Sequence, residues 1–200
     1  MTGTKKHGTI QTDKIWRVEQ MNYDTEKLKQ EALDTGFSNA GQLNMKAVVF
    51  MPEVRDMCSA NACRQYGKNW CCPPGCGSIE DAAKKAAEYT YGLIVQTVGQ
   101  MEDDFDYETI EATSQKHKTN FAVLVENLRK SHPDMLPMGA GTCTVCQTCS
   151  YPDAPCRFPD KIMPSMEAYG LWVSRVCEIS KIPYNYGKQT IAFTSCYLLK

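Results

Sequence analysis

Three cysteines stand at successive intervals of three, Cys143-Thr-Val-Cys146-Gln-Thr-Cys149, and a fourth, Cys156, follows after six residues. Thiolates spaced in this way wrap a backbone around one side of an iron–sulfur cubane, and a more distant fourth thiolate closes it. The last interval is longer than in the ferredoxin runs of bacteria. A structural zinc site more often has two C-x2-C knuckles separated by a longer insert, each giving two sulfurs to one small ion. Three closely spaced thiols suit the wider group better. Cys143, Cys146, Cys149 and Cys156 are therefore read as ligands of a [4Fe-4S] cluster, with zinc as the alternative.

A second group lies earlier in the chain: Cys58, Cys63, Cys72 and Cys76, spaced C-x4-C-x8-C-x3-C, with Cys71 as an extra thiol. Its centre is Asn69–Gly77, NWCCPPGCG, where two prolines exclude helix and central strand. Adjacent cysteines seldom pair with each other, so the thiols need another partner. The turn Pro73-Pro74-Gly75 would let Cys72 and Cys76 face one point, with Cys71 directed away. Four ligands suit a second [4Fe-4S] cluster, shielded by the apolar proline rings. The plain alternative is an incomplete site, or a tight turn packed with small thiols.

Eleven cysteines in 200 residues exceed what packing requires, while 200 residues can build a core without disulfides. The first residues, MTGTKKHGTIQTDK, lack the apolar stretch of a secretory signal, and no later segment has the apolar length of a membrane span. A cytoplasmic protein with reduced thiols is expected, with no membrane partner. With 22 basic and 23 acidic side chains the chain is nearly neutral, which argues against nucleic-acid binding. Lys5-Lys6-His7 reads as part of a polar, solvated tail over residues 1–14.

The run Cys58-x4-Cys63-x2-Tyr66-Gly67, then Asn69-Trp70-x-Cys72-Pro73-Pro74, is followed by Cys143-x2-Cys146-x2-Cys149-x6-Cys156-Arg157 and Ser165-Met166-Glu167-Ala168-x-Gly170. Together these motifs resemble a family of cysteine-rich proteins described only as predicted metal-binding, domain of unknown function 2284. The resemblance covers about residues 45 to 197. It implies a metal or iron–sulfur protein of anaerobic metabolism, with one site on Cys58, Cys63, Cys72 and Cys76 and another on the four later cysteines. It implies no substrate.

The elements that must position these groups can be sketched from caps, breakers and periodicity. Asp24 caps a helix through Asp34, ended by Gly36, and Lys46–Phe50 reads as a short buried strand stopped at Pro52. The first cysteine loop spans 53–77. Ser78-Ile-Glu-Asp81 resembles a capping box opening an alanine-rich helix to about Tyr89, and Gly92–Val98 is a strand. A long helix runs from about Tyr107 to Lys130, ended by Pro133. A strand over Leu136–Thr142 feeds the second cysteine loop, 141–164. Ser165 caps a helix to about Ile179, and Thr190–Leu199 is the last strand. The order strand, cysteine loop, helix, strand occurs on both sides of the long helix, a possible duplication of arrangement. One compact α/β domain is expected, or an α+β one, with a small mixed sheet covered by helices.

The remaining chemistry-bearing residues are read conservatively. His7, His117 and His132 are scattered, none at ligand spacing to a cysteine pair, and are taken as surface residues. Cys177 and Cys196 sit in helix and strand patterns as small buried hydrophobes. Arg64, Lys68, Arg157 and Lys161 flank the cysteine groups, where they would offset cluster charge or simply be solvated. Pro183–Lys188 reads as a pocket rim or a turn. No nucleophile elbow, P-loop or dinucleotide glycine run is present. The leading function is a two-cluster electron carrier acting with a redox protein or enzyme partner. Next comes an enzyme whose first cluster keeps an open iron for a small substrate, and third a zinc-stabilised interaction module.

Overall fold

The computed structural model describes residues 23–200. The tail at 1–14, with Lys5, Lys6 and His7, lies outside the described residues. Four strands form one sheet in the order β1-β2-β4-β3. They are β1 (Asn39–Leu43), β2 (Tyr91–Gln100), β3 (Leu136–Met138) and β4 (Thr190–Leu199). All three pairings are antiparallel, and β2 and β4 are in register from Tyr91 opposite Leu199 to Gln100 opposite Thr190. The parallel component expected of a mixed sheet is reduced to a single bridge, Gly139 to Ser165.

Both faces of the sheet are covered, so β2 and β4 carry continuous buried apolar runs at Leu93–Val95 and Cys196–Leu199. Leu93, Val95, Tyr197 and Leu199 face one core with Leu28, Phe37, Phe121, Leu124 and Leu128. These last residues belong to α1 (Thr25–Asp34), the turn after it, and α4 (Tyr107–Arg129). Ile94, Cys196 and Leu198 face the other core with Phe50, Ala83, Ala86, Met138, Met166, Leu171, Val176 and Cys177. That face carries α3 (Ile79–Ala86) and α5 (Val173–Ile179).

Local signals set most boundaries. Asp24 and Asp106 accept backbone hydrogen bonds from Lys27 and Thr109 as N-caps of α1 and α4. Ser78 and Asp81 form a reciprocal capping box on α3. Two expectations are corrected. Lys46–Phe50 is not a strand: Asn44 caps a 3-10 turn at Met45–Ala47, and β1 already occupies the sheet edge beside β2. The helix expected from Ser165 to Ile179 is broken in two. A 3-10 turn at Glu167–Tyr169 ends at Gly170, which adopts a left-handed conformation with φ 81°, before α5 begins. An added Cβ at Gly170 would lie 2.7 Å from Ile79 Cδ1 and 3.1 Å from the Met51 carbonyl oxygen, so space also demands glycine there.

Candidate metal centre

The first cysteine loop is not all loop. Pro52 at the first position opens a helix, α2 (Pro52–Ser59), which carries Cys58 in its last turn. Beyond it the chain winds through tight turns in which Asn61 and Arg64 have φ near +55°. The Asn61 carboxamide oxygen accepts from the Tyr66 amide at 3.0 Å. Cys58, Cys63 and Cys72 emerge from these turns onto one cavity of about 460 Å³. Its other polar lining groups are Gln65, Thr142, Ser165 and Glu167, and its rim is apolar, with Met57, Tyr66 and Pro73.

Cys76, the fourth residue of the expected set, does not line that cavity. Its thiol donates to the Ala168 carbonyl oxygen at 3.6 Å, and it lies on a separate hollow of about 360 Å³ together with Trp70, Cys156 and Tyr169. Cys71 is buried, and its thiol lies beside Cys143 of the second group. Cys143 also lines a small cavity of about 100 Å³ beside His117 and Met163. Cys146 and Cys149 are half-buried and line none of these three hollows. Cys177 and Cys196 are fully buried in the core.

The two cysteine groups, 67 residues apart in sequence between Cys76 and Cys143, are held against each other. Buried Asn69 donates from Nδ2 to Thr142 Oγ1 at 3.0 Å, and its Oδ1 accepts from the Cys71 amide at 3.0 Å. Cys72 Sγ lies 3.5 Å from the same Thr142 hydroxyl. Trp70 Nε1 donates to the Ala154 carbonyl at 3.2 Å, and its ring meets the Tyr151 ring edge-on, centroids 4.9 Å apart. Within the second loop, Arg157 donates to the Thr148 carbonyl and closes the loop across its cysteines.

Electrostatics divide the thiols. Burial, helped by the charges of Glu167, Cys63 and Cys72, pushes the Cys58 thiol up, while Arg55 acts in the opposite direction. Burial also raises Cys76, again opposed chiefly by Arg55. The neighbouring Cys71 thiol pulls Cys143 down and is itself raised in turn. Arg55 Nη2 donates to the Gly77 carbonyl at 2.7 Å, and its buried Nη1 has no hydrogen-bond partner. Arg55, Glu167 and Thr142 were not singled out from the sequence as members of a site. The signal available for Arg55 was its position three residues before Cys58, one helical turn away on the same face.

The surface reading of His117 is corrected. It lies on the sheet-facing side of α4, 1% exposed, with Nδ1 2.9 Å from Thr97 Oγ1 and Nε2 2.7 Å from Ser195 Oγ. Burial lowers its pKa to about 4, so the ring is neutral and its two hydroxyl partners satisfy it as a core residue.

Among the described residues no three His, Cys, Asp or Glu side chains converge to the distances of a single metal ion. Cys58, Cys63 and Cys72 instead share one cavity, and soft thiolates are the donors that iron–sulfur clusters take. The donor set thus fits such a group at Cys58, Cys63 and Cys72. Among the described residues no helix is long and apolar enough to cross a membrane.

A cysteine-rich, thiol-lined metal-binding protein is the class these features define. Residues 41–199 match the family described as predicted metal-binding protein (DUF2284), and the chain belongs to it. No curated protein and no solved structure matches the chain.

Proposed function

We propose that this protein binds two [4Fe-4S] clusters, one on each cysteine group, and passes electrons through them to or from a redox partner. A cytoplasmic, oxygen-poor setting in which thiols stay reduced belongs to this reading. The observation that carries it is the direct packing of the two cysteine loops through Asn69, Thr142, Trp70 and the Cys71–Cys143 contact. Two redox centres held side by side on packed loops suit a relay. Separate structural metal sites would need no such contact.

The chain's own residues would hold the first cluster with Cys58, Cys63 and Cys72, and the second with Cys143, Cys146, Cys149 and Cys156. Pro73 and Tyr66 would limit water at the first, and Arg55 would offset negative charge beside Cys58 and Cys76. When bound, such a cluster supplies one-electron redox chemistry, and Lewis acidity at any iron lacking a thiolate. A specific observation favours the enzymatic alternative at the first site: the Cys76 thiol is engaged with Ala168 outside the cavity. Gln65, Thr142, Ser165 and Glu167 on the same cavity would then be free to meet a small ligand.

Anaerobic purification tests the proposal. About eight iron and eight sulfide per chain are expected for two filled cubanes, with a brown colour. Cys146→Ser and Cys72→Ala should each remove about half of the iron, while Cys71→Ala should leave it intact. Colourless protein holding stoichiometric zinc and no sulfide overturns the iron–sulfur reading. Iron lost with Cys71→Ala but kept with Cys72→Ala overturns the choice of Cys72 as the ligand.

A further inference from the structure

We propose that the Glu167 carboxylate, and not the Cys76 thiol, is the fourth protein ligand at the first cluster. The inference rests on the iron–sulfur reading above. Three thiols, those of Cys58, Cys63 and Cys72, open onto the cavity, and Glu167 is the one carboxylate among the described residues lining it. Cys76 is held out of reach by its surroundings. Its amide donates to the Cys72 carbonyl at 3.1 Å, the Gly77 amide donates to the Pro74 carbonyl at 3.1 Å, and Arg55 clamps the Gly77 carbonyl at 2.7 Å. The thiol meanwhile donates to the Ala168 carbonyl and faces the hollow shared with Cys156.

Glu167 is placed by backbone geometry rather than by partners of its own side chain. Ser165 Oγ accepts from the Ala168 amide at 3.1 Å, fixing the turn on which Glu167 sits. The next residue but two, Gly170, gives its carbonyl oxygen to the Met51 amide at 2.8 Å, at the start of the helix that carries Cys58. One backbone hydrogen bond thus ties the carboxylate's turn to the thiolate's helix. Among the described residues Glu167 forms no ion pair, although its charge is felt at Cys58. Glu167 is exposed and, among those residues, unpaired, so its carboxylate is free to turn onto a metal held by the thiols, which lose their protons as the metal binds. The carboxylate oxygen is a harder donor to iron than thiolate, so the iron it holds is the one a small ligand can reach by displacing it.

The test uses the full chain prepared without oxygen, with iron analysis, Mössbauer and paramagnetic resonance spectra as readouts. In the wild type one iron of the first cluster should differ from the other three in its Mössbauer parameters. Cys76→Ser should keep the wild-type iron content and that distinct iron. Glu167→Ala should lose about one of the eight iron atoms and give the signal of a three-iron cluster. Glu167→Cys should restore full iron and erase the distinct site, which guards against a folding defect in the alanine variant. Glu167→Ala with wild-type iron and spectra overturns the assignment whatever Cys76→Ser does. Loss of about half the iron on Cys76→Ser overturns it too, and leaves the two-cluster reading standing. Colourless wild-type protein holding zinc and no sulfide would instead remove the cluster reading on which the assignment rests.

Discussion

Gly75→Ala should cost the protein far more than Gly67→Ala, although both glycines sit on the first cysteine loop. At Gly75 an added Cβ would lie 2.5 Å from the Asn69 carbonyl oxygen and 2.9 Å from Tyr151 Cε2. Neither neighbour can yield. Asn69 is buried and tied by its side chain to Thr142 and to the Cys71 amide, and the Tyr151 ring is wedged edge-on against Trp70. Overpacking of this kind costs about 1–3 kcal/mol, and a backbone atom as the obstacle puts it at the upper end. For a chain of this length about 3 kcal/mol corresponds to roughly 6–12 °C in Tm. At Gly67 nothing lies within 4 Å of an added Cβ, and only the left-handed φ of 68° is unfavourable. That costs about 1 kcal/mol, or roughly 2–4 °C. Thermal unfolding followed by circular dichroism, at matched metal content, compares the two. Because metal binding is also folding energy, Gly75→Ala should lower iron content at both cysteine groups if the loops support each other. A Gly75→Ala protein as stable as Gly67→Ala would refute the interlocking of the loops.

His117 and Arg55 give two further tests. With a folded-state pKa of about 4 against 6.5, His117 binds its proton less readily in the folded chain. The stability held above about pH 6.5 is therefore lost as pH falls toward 4, up to about 3 kcal/mol. His117→Gln should flatten the fall of the urea midpoint between about pH 7 and 5, and an unchanged slope would show that another group is responsible. Arg55→Gln removes a positive charge beside Cys58 and Cys76, so the first cluster should become harder to reduce, by a potential shift on the order of 60 mV, a tenfold change for a one-electron couple. A redox titration followed by paramagnetic resonance reads this, and a raised potential would contradict the role given to Arg55.

Long, capped and strongly patterned elements are legible in the sequence. The reach of α4 from Tyr107, the capping box at Ser78, and the β2 and β4 strands all follow from side-chain chemistry within a few residues. What the sequence concealed depends on partners distant in the chain. Asn39–Leu43 has little strand propensity, and it pairs because β2 offers an edge and Gly41 lets Ile182 and the Ser180 carbonyl approach. Val48 and Phe50 are buried as the apolar run suggested, but they pack into the core outside the four-stranded sheet, where β1 pairs with β2. The cysteine spacing gave the thiols of each group. It gave no sign that Cys71 meets Cys143, that Cys76 shares a hollow with Cys156, or that Glu167 faces Cys58.

These hidden contacts have a common root in the turn at Glu167–Tyr169. Gly139, just past β3, bridges to Ser165 and donates its amide to the Pro164 carbonyl at 2.9 Å, so the second cysteine loop starts and ends beside this turn. The Met51 amide binds Gly170 where α2 begins, and Cys76 binds Ala168 near the end of the first loop. Both loops are therefore anchored at their bases to the same four or so residues, about one turn of chain. This gives a physical reason for each residue of Ser165-Met166-Glu167-Ala168-Tyr169-Gly170 that the structure engages. Ser165 fixes the turn and Met166 and Ala168 fill the core beneath it. Gly170 supplies the left-handed exit and the close approach to Ile79 and Met51. Glu167 alone has no structural duty there, and its side chain faces the thiols. That exposed carboxylate, on a turn whose neighbours hold two cysteine loops together, is free to meet whatever the cavity of Cys58, Cys63 and Cys72 holds.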